Sequence, residues 1–391
     1  METIPAFYFD REQLAPIAAS KHGSFVNAAP FQHVVLDDFL PKDVLELLVD
    51  EFPGPEDLAW EMHGPGRTKW ARDKKIAKLA TSDETKFRAF TRHFMGQLNS
   101  ATFLAFLEEL TGTSGIVPDV SYNDCGMHST GPGGRLMMHT DQNRHPHKSQ
   151  MHQYLNLILY LNQDWQEDYG GHLELWDNDR KPVERILPSA NRVVLFNTGT
   201  RSLHGHPHPL TCPEGRRRNS LAVYYYLRER PKSEEYAGQQ STVHWVPAIE
   251  EDRAFARERR ALALAELAGM QGATVGVPPD IIPLDLPDGF IDPATGLVPL
   301  RFLAPSEWAD AEAFTAKHMR TAVSNQHLPA TDFLGAYEPI ALLGRSGAAD
   351  SVALITCLLD DNGEMYAARG PDAPDLFWVG YLDELLASLP R

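Results

Sequence analysis

His139, Thr140 and Asp141 form an HxD triplet within the run GGRLMMHTD. On an extended strand, residues i and i+2 point to the same face, so this imidazole and this carboxylate can converge on one metal ion. Two ligands alone are a weak signal, because HxD triplets arise by chance in many surface loops. A further histidine from a distant strand would complete a set of two nitrogens and one oxygen on one face of an octahedral ion.

The segment RSLHGHPHPLTCPEGRRRNSLAVYYY, residues 201–226, offers that histidine and a cation together. His204, His206 and His208 alternate, so sidedness does not separate them, although Pro207 and Pro209 make the later part a poor paired strand. Two histidines and one carboxylate are the facial triad of non-haem Fe(II) oxygenases, which leaves three positions open for a chelating 2-oxo acid and O2. The acid's far carboxylate would need a partner. Arg216, Arg217 and Arg218 stand before an apolar strand, and the planar guanidinium makes paired, charge-assisted hydrogen bonds to such a group.

The elements around these residues must hold them in register. From about 118 to 230, short apolar runs alternate with turn-forming residues: LNLILYLN (155–162), GGHLELWD (170–177), NRVVLFNT (191–198) and NSLAVYYYL (219–227). This texture predicts antiparallel strands in a sandwich or barrel, read here as a double-stranded β-helix (jelly roll). Upstream, Phe87, Phe90, Phe94 and Leu98 recur at helical spacing, and a second helix is expected after Asn99-Ser100. The fold class is mainly β with α (α+β). The expected parts are an N-terminal helical bracing region (1–117), the catalytic core (118–232), a helical connector (233–274) and a smaller C-terminal α/β unit (275–391). Within the last, 275–293 reads as a Pro- and Asp-rich linker. A strand over 351–359 returns as a hairpin over 364–369, and Leu382, Leu385, Leu386 and Leu389 mark a closing helix.

Bulk properties bound the function. The chain has 391 residues, 36 Lys and Arg against 53 Asp and Glu, and a net charge of −17. That balance argues against nucleic acid or an anionic membrane as partner. Three scattered cysteines without a CxxC argue for a reducing compartment. With neither a leader-like start nor a long apolar span, a cytoplasmic location is the expectation.

The ordered motifs resemble the prolyl hydroxylase family of Fe(II)- and 2-oxoglutarate-dependent oxygenases. They are His139-Thr140-Asp141, Tyr160-Leu161-Asn162, Gly170-Gly171-His172-Leu173, Arg201-Ser202-Leu203-His204 and Arg218-Asn219-Ser220-Leu221. The resemblance covers roughly residues 118–230. It implies His139, Asp141 and His204 as iron ligands, and Arg218 with the Tyr160 hydroxyl as binders of the 2-oxoglutarate C5 carboxylate. Arg218 is preferred to its neighbours because it stands two residues before Ser220. A tyrosine common in the family before the HxD is absent, and His128 is the residue nearest its place as a co-substrate contact. The implied co-substrates are 2-oxoglutarate and O2, with ascorbate as a reductant. Because related halide-transferring enzymes lack the carboxylate, Asp141 implies hydroxylation of an unactivated C–H bond in a small-molecule or peptidyl substrate. Sequence alone does not fix the substrate or the oligomeric state.

The other polar residues near the motifs have plainer readings. His145, His147 and His152 are expected in a solvated loop, His206 and His208 at the surface or on the substrate side, and Arg216 and Arg217 in an exposed turn. Trp165, Trp176 and Tyr224 to Tyr226 are assigned to packing. Two competing classes are a cupin-like metalloenzyme that does without 2-oxoglutarate and a non-catalytic binding protein on the same barrel. The first would not need Arg218 or Tyr160, and the second would not need the triad.

Overall fold

The computed structural model describes residues 6–57, 60–62, 78–123, 125–142, 144–145, 148–199, 201–230, 244–254 and 257, and four strands between 338 and 380. It divides into two compact units, Met1–Glu234 and Glu235–Arg391.

In the first unit four helices, α1 (Arg11–Val26), α2 (Lys42–Glu51), α3 (Ala89–Leu98) and α4 (Ala101–Thr111), form one layer. Asn99 closes α3, and the Ser100 hydroxyl accepts the Phe103 N–H at 3.3 Å to open α4, the capping that this residue pair favours. Gly112, at φ 72°, ends α4 in the left-handed conformation that glycine adopts without strain. Phe90, Phe94 and Leu98 of α3 are buried as their spacing requires, whereas Phe87 lies just before the helix yet joins the same core.

The strands are β1 (His33–Leu36), β2 (Glu61–Met62), β3 (Lys78–Thr81), β4 (Val117–Pro118), β5 (Gly126–Thr130), β6 (Leu136–Thr140), β7 (Arg144–His145), β8 (Lys148–Tyr160), β9 (Leu173–Trp176), β10 (Pro182–Ile186), β11 (Val193–Asn197), β12 (Leu203–His206) and β13 (Arg218–Leu227). The larger sheet runs β1-β11-β8-β13-β5-β3-β2, with β4 beside β13 and β7 beside β8. The second sheet includes β10-β9-β12-β6 in that order. All these pairs are antiparallel.

Alternation along the strands assigns the two faces of the larger sheet. Leu155, Leu157, Leu159, Leu195, Leu221, Val223 and Tyr225 pack with the helix phenylalanines in one continuous core. Tyr160, Val194 and Phe196, of opposite parity, cluster with Leu173, Leu175 and Ile186 of the second sheet. The site lies at this second interface.

Two expectations need correction. The segment before residue 118 is not only helical, because β1, β2 and β3 join the larger sheet; runs this short fall below what periodicity resolves. Part of the stretch expected as a solvated loop is a hairpin: β7 pairs with β8, which begins at Lys148. Its polar residues serve a buried purpose described below.

In the second unit β14 (His244–Val246) precedes helical residues 250–254. A four-stranded antiparallel sheet runs β15 (Glu338–Ser346), β16 (Val352–Leu359), β17 (Met365–Ala368) and β18 (Leu376–Gly380). The expected strand and its returning partner coincide with β16 and β17. The linker over 275–293 and the closing helix lie outside the described residues, as does most of the helical connector expected over 233–274. Among the described residues, no helix is long and apolar enough to cross a membrane.

Candidate active site

β6 and β12 are neighbours, and their register sets His139 directly opposite His204. Asp141 follows the end of β6. The three side chains are buried and offer one ligand atom each within 4.8 Å of one another. His139 Nε2 lies 3.6 Å from Asp141 Oδ1, and His204 Nε2 lies 3.7 Å from Asp141 Oδ2.

The chemistry of these donors fits a metal ion. His139 Nδ1 is 2.9 Å from the Met137 carbonyl, and His204 Nδ1 is 2.9 Å from the Ser202 carbonyl. A carbonyl can only accept, so each Nδ1 carries the proton and each Nε2 presents a lone pair. Burial comes first in lowering the His204 pKa, to about 4, so its imidazole is neutral near pH 7. Burial works the other way on Asp141. The adjoining His204 and His139 rings and the Asn156 amide outweigh it, and the carboxyl falls to about 2. Two neutral imidazoles and one carboxylate are what a divalent cation requires.

The polar residues of β8 complete the arrangement. Gln153 Nε2 and Asn156 Nδ2 donate to Asp141 Oδ2 at 3.2 and 3.1 Å. The sequence reading missed both. A signal was present for Asn156, which interrupts the apolar run LNLILYL (155–161), because an amide on so apolar a strand needs a buried partner.

A second cluster sits at the start of β13. Arg218 is buried and donates from Nη2 to the Tyr160 hydroxyl at 3.0 Å and from Nε to the Gly171 carbonyl at 2.8 Å. Burial raises the Tyr160 pKa, against the pull of Arg218, so the phenol keeps its proton. Glycine is required at 171, where φ is 72° and an added Cβ would meet Leu210 Cδ2 at 2.5 Å and Arg218 Cδ at 3.1 Å. Asn162 ties β8 to β13: its Oδ1 accepts the Asn219 N–H at 2.6 Å, and its amide donates to the Pro188 carbonyl at 2.7 Å.

Tyr160, Ser220 and His128 form one cross-strand row, and Arg218, Thr130 and Lys78 form the next. His128 thus shares a row with Tyr160, with Ser220 between them. Arg216 is exposed and donates to the Gln163 carbonyl, whereas Arg217 turns to Ser129, 2.7 Å from its hydroxyl. Neither makes the contacts of Arg218.

Several expectations for neighbouring histidines change. His208 is exposed, but His206 is buried as the last residue of β12 and is not a surface group. Burial, then the charges of Arg218 and Lys78, push its pKa well below the usual value. His145 is also buried, with Nε2 3.0 Å from Asn123 Nδ2 and 3.4 Å from Asp119 Oδ1, where a solvated loop was expected. Asp119 also holds its own turn, accepting the Ser121 and Asn123 N–H groups. His147 lies outside the described residues, while Trp165, Trp176 and Tyr224 to Tyr226 are buried as expected.

Residues 125–226 match the family model described as the 2OG-Fe(II) oxygenase superfamily. Over 204 residues the chain is 26% identical to prolyl 3-hydroxylase OGFOD1 of Mus musculus, a match covering 50% of this chain and 33% of that protein. Among solved structures, a prolyl hydroxylase of Trichoplax adhaerens, in complex with a peptide fragment of the hypoxia inducible factor oxygen degradation domain, is 14% identical at a TM-score of 0.39. It covers 55% of this chain and 91% of its own. A prolyl-4-hydroxylase of Pseudomonas putida is 16% identical at a TM-score of 0.38, covering 55% of this chain and 100% of its own. The matched residues contain β5 to β12 and nearly all of β13, hence both clusters. Residues 125–226 are therefore similar to the 2OG-Fe(II) oxygenase superfamily, beside a likeness of the chain to a prolyl 3-hydroxylase.

Proposed function

We propose that the protein is an Fe(II)- and 2-oxoglutarate-dependent hydroxylase, with His139, Asp141 and His204 holding the iron. The observation that carries this reading is the pair of histidines whose Nδ1 protons are committed to backbone carbonyls, leaving both Nε2 atoms beside Asp141. The bound iron supplies O2 activation coupled to oxidative decarboxylation of 2-oxoglutarate to succinate and CO2, with ascorbate keeping it reduced.

The chain's own residues do the rest. Arg218 takes the C5 carboxylate of 2-oxoglutarate, with the Tyr160 hydroxyl as a further donor and His128 lining the same side. Nε and Nη2 of Arg218 are anchored, so the guanidinium meets the carboxylate already oriented. Burial keeps the His204 imidazole unprotonated, and the buried setting of all three ligands excludes water from the reacting centre.

The two sheets are proposed to form a double-stranded β-helix, braced by the helices of residues 1–117, with the region beyond 275 as a separate α/β domain that supplies no ligand. The substrate is proposed to be a small molecule or a peptidyl residue, prolyl in the latter case, in the cytoplasm. The test is succinate release by purified protein supplied with Fe(II), 2-oxoglutarate and O2. It should require all three, and it should vanish in His204→Ala while a measurable fraction survives in His208→Ala. Succinate release that persists in His204→Ala would refute the assignment.

A further inference from the structure

Asp141 is the one ligand of the triad whose side chain is not anchored to its own strand. Each histidine is fixed by a carbonyl two residues back, but Asp141 lies beyond the end of β6, and a carboxylate can rotate about its last bond. What stops it comes from another sheet. Its Oδ2 accepts two amide N–H groups, from Gln153 and Asn156 of β8.

Gln153 and Asn156 are three residues apart, and on a regular strand an odd separation places side chains on opposite faces. The register of β8 against β13 explains how both reach one oxygen. Tyr225 pairs with Leu155 and Tyr226 with Gln153, so Tyr154 is an extra residue in β8. Such a bulge shifts the alternation by one and re-aims the side chain beyond it. The bulge therefore brings Gln153 to the face that Asn156 already occupies. Both amides are buried, and because a carboxylate only accepts, each must present its nitrogen to Asp141.

We propose that Gln153 and Asn156 are positioning residues, an amide clamp that fixes the Asp141 carboxylate for metal binding. The proposal rests on the reading of His139, Asp141 and His204 as a metal site. Two neutral donors hold the carboxylate in place and keep it ionised without competing with the cation for negative charge. Partners of this kind around metal ligands typically change metal affinity by about 10–100-fold when removed.

The test uses Co(II) as the probe, in the full-length chain, read by calorimetry and by the visible absorption of the bound ion. Asn156→Leu and Gln153→Met keep approximate shape and remove the donor. Each should weaken Co(II) binding about 10-fold, the double variant about 100-fold, and the absorption band should move because the carboxylate binds in a changed orientation. Asn156→Gln, which restores a donor on a longer arm, should recover part of the affinity. A purely structural role predicts the opposite pattern, with lower thermal stability but wild-type Co(II) affinity and spectrum; that result would overturn the clamp. If Asn156→Leu does not fold, Gln153→Met alone decides, since its donor reaches the same oxygen. His139→Ala separates the two readings. Loss of Co(II) binding there with wild-type binding in both clamp variants sinks the clamp alone, whereas wild-type binding in His139→Ala sinks the metal site and the clamp with it.

Discussion

The metal end and the anion end of this site are built by different means. At the metal end, His139 and His204 are each oriented by a carbonyl two residues earlier in their own segment. At the anion end, Arg218 is oriented by Tyr160 and Gly171, 58 and 47 residues away in sequence. For the two imidazoles the first is local geometry brought together by one strand pairing, and only the Asp141 carboxylate is held from β8. The second exists only once the larger sheet and the loop before β9 are in place. Errors in the long-range architecture should therefore damage co-substrate binding before they damage metal binding.

The sharpest way to break this comparison is at the ligands themselves. His139→Ala or Asp141→Ala should lower divalent-metal affinity at least about a thousandfold, since structural-type sites draw large binding energies from few ligands. Metal analysis after dialysis would measure it, and near-stoichiometric metal in both variants would contradict the ligand assignment.

Next in size is the charge at the anion end. Removing one partner of a buried ion pair costs about 3–5 kcal/mol, so Arg218→Ala should weaken 2-oxoglutarate binding by about two to four decades with metal content unchanged. Arg218→Lys keeps the charge but loses the fork, and should fall between the two. Titration of 2-oxoglutarate into the Co(II)-loaded protein reads this directly. A parallel loss of metal would show that the two ends are not separable.

A third test uses pH on the metal-free protein. The folded-state pKa of His204, about 4, lies below its ordinary 6.5, so between these values the unfolded chain binds more protons than the folded one. Stability should be fully present above the ordinary value and decline as pH falls through it, by roughly 2 kcal/mol between pH 7 and 5 for this group. His206, shifted in the same direction, adds to the decline. Urea midpoints at the two pH values measure it, and His204→Gln should flatten the slope.

The smallest expected effect is at the neighbouring arginines. Arg216 is exposed and Arg217 is spent on Ser129, so Arg216→Ala and Arg217→Ala should leave 2-oxoglutarate affinity within about threefold. A large loss in Arg217→Ala would shift the register of β13 by one residue.

The same contrast explains what could be read from the sequence. The HxD triplet, the glycine pair before β9 and Arg218 before Ser220 carry their spacing in the chain, and the structure brings those residues into two clusters. His145 was expected in a solvated loop and His206 at the surface or on the substrate side, because their burial depends on parts of the chain outside their own strands, Asp119 in the first case. Gln153 escaped for a different reason. Strict alternation puts it on the wrong face, and only the extra residue at Tyr154 reverses that, a register shift that no single-strand pattern contains. Helices α3 and α4 were legible from their apolar repeats, while β1, β2 and β3 were too short to show a period.

Gly205, between His204 and His206, has an effect that reaches past its own strand. A methyl group placed there would lie 2.6 Å from the Met137 carbonyl oxygen, the same atom that His139 Nδ1 meets. Any side chain at this position would wedge β12 away from β6 and lift that carbonyl off the imidazole. Both histidines would survive, yet their separation and the tautomer of one of them would change together. The bite of the site is thus written into the spacing of two backbones, and it can be retuned for a larger or smaller cation without touching a single ligand.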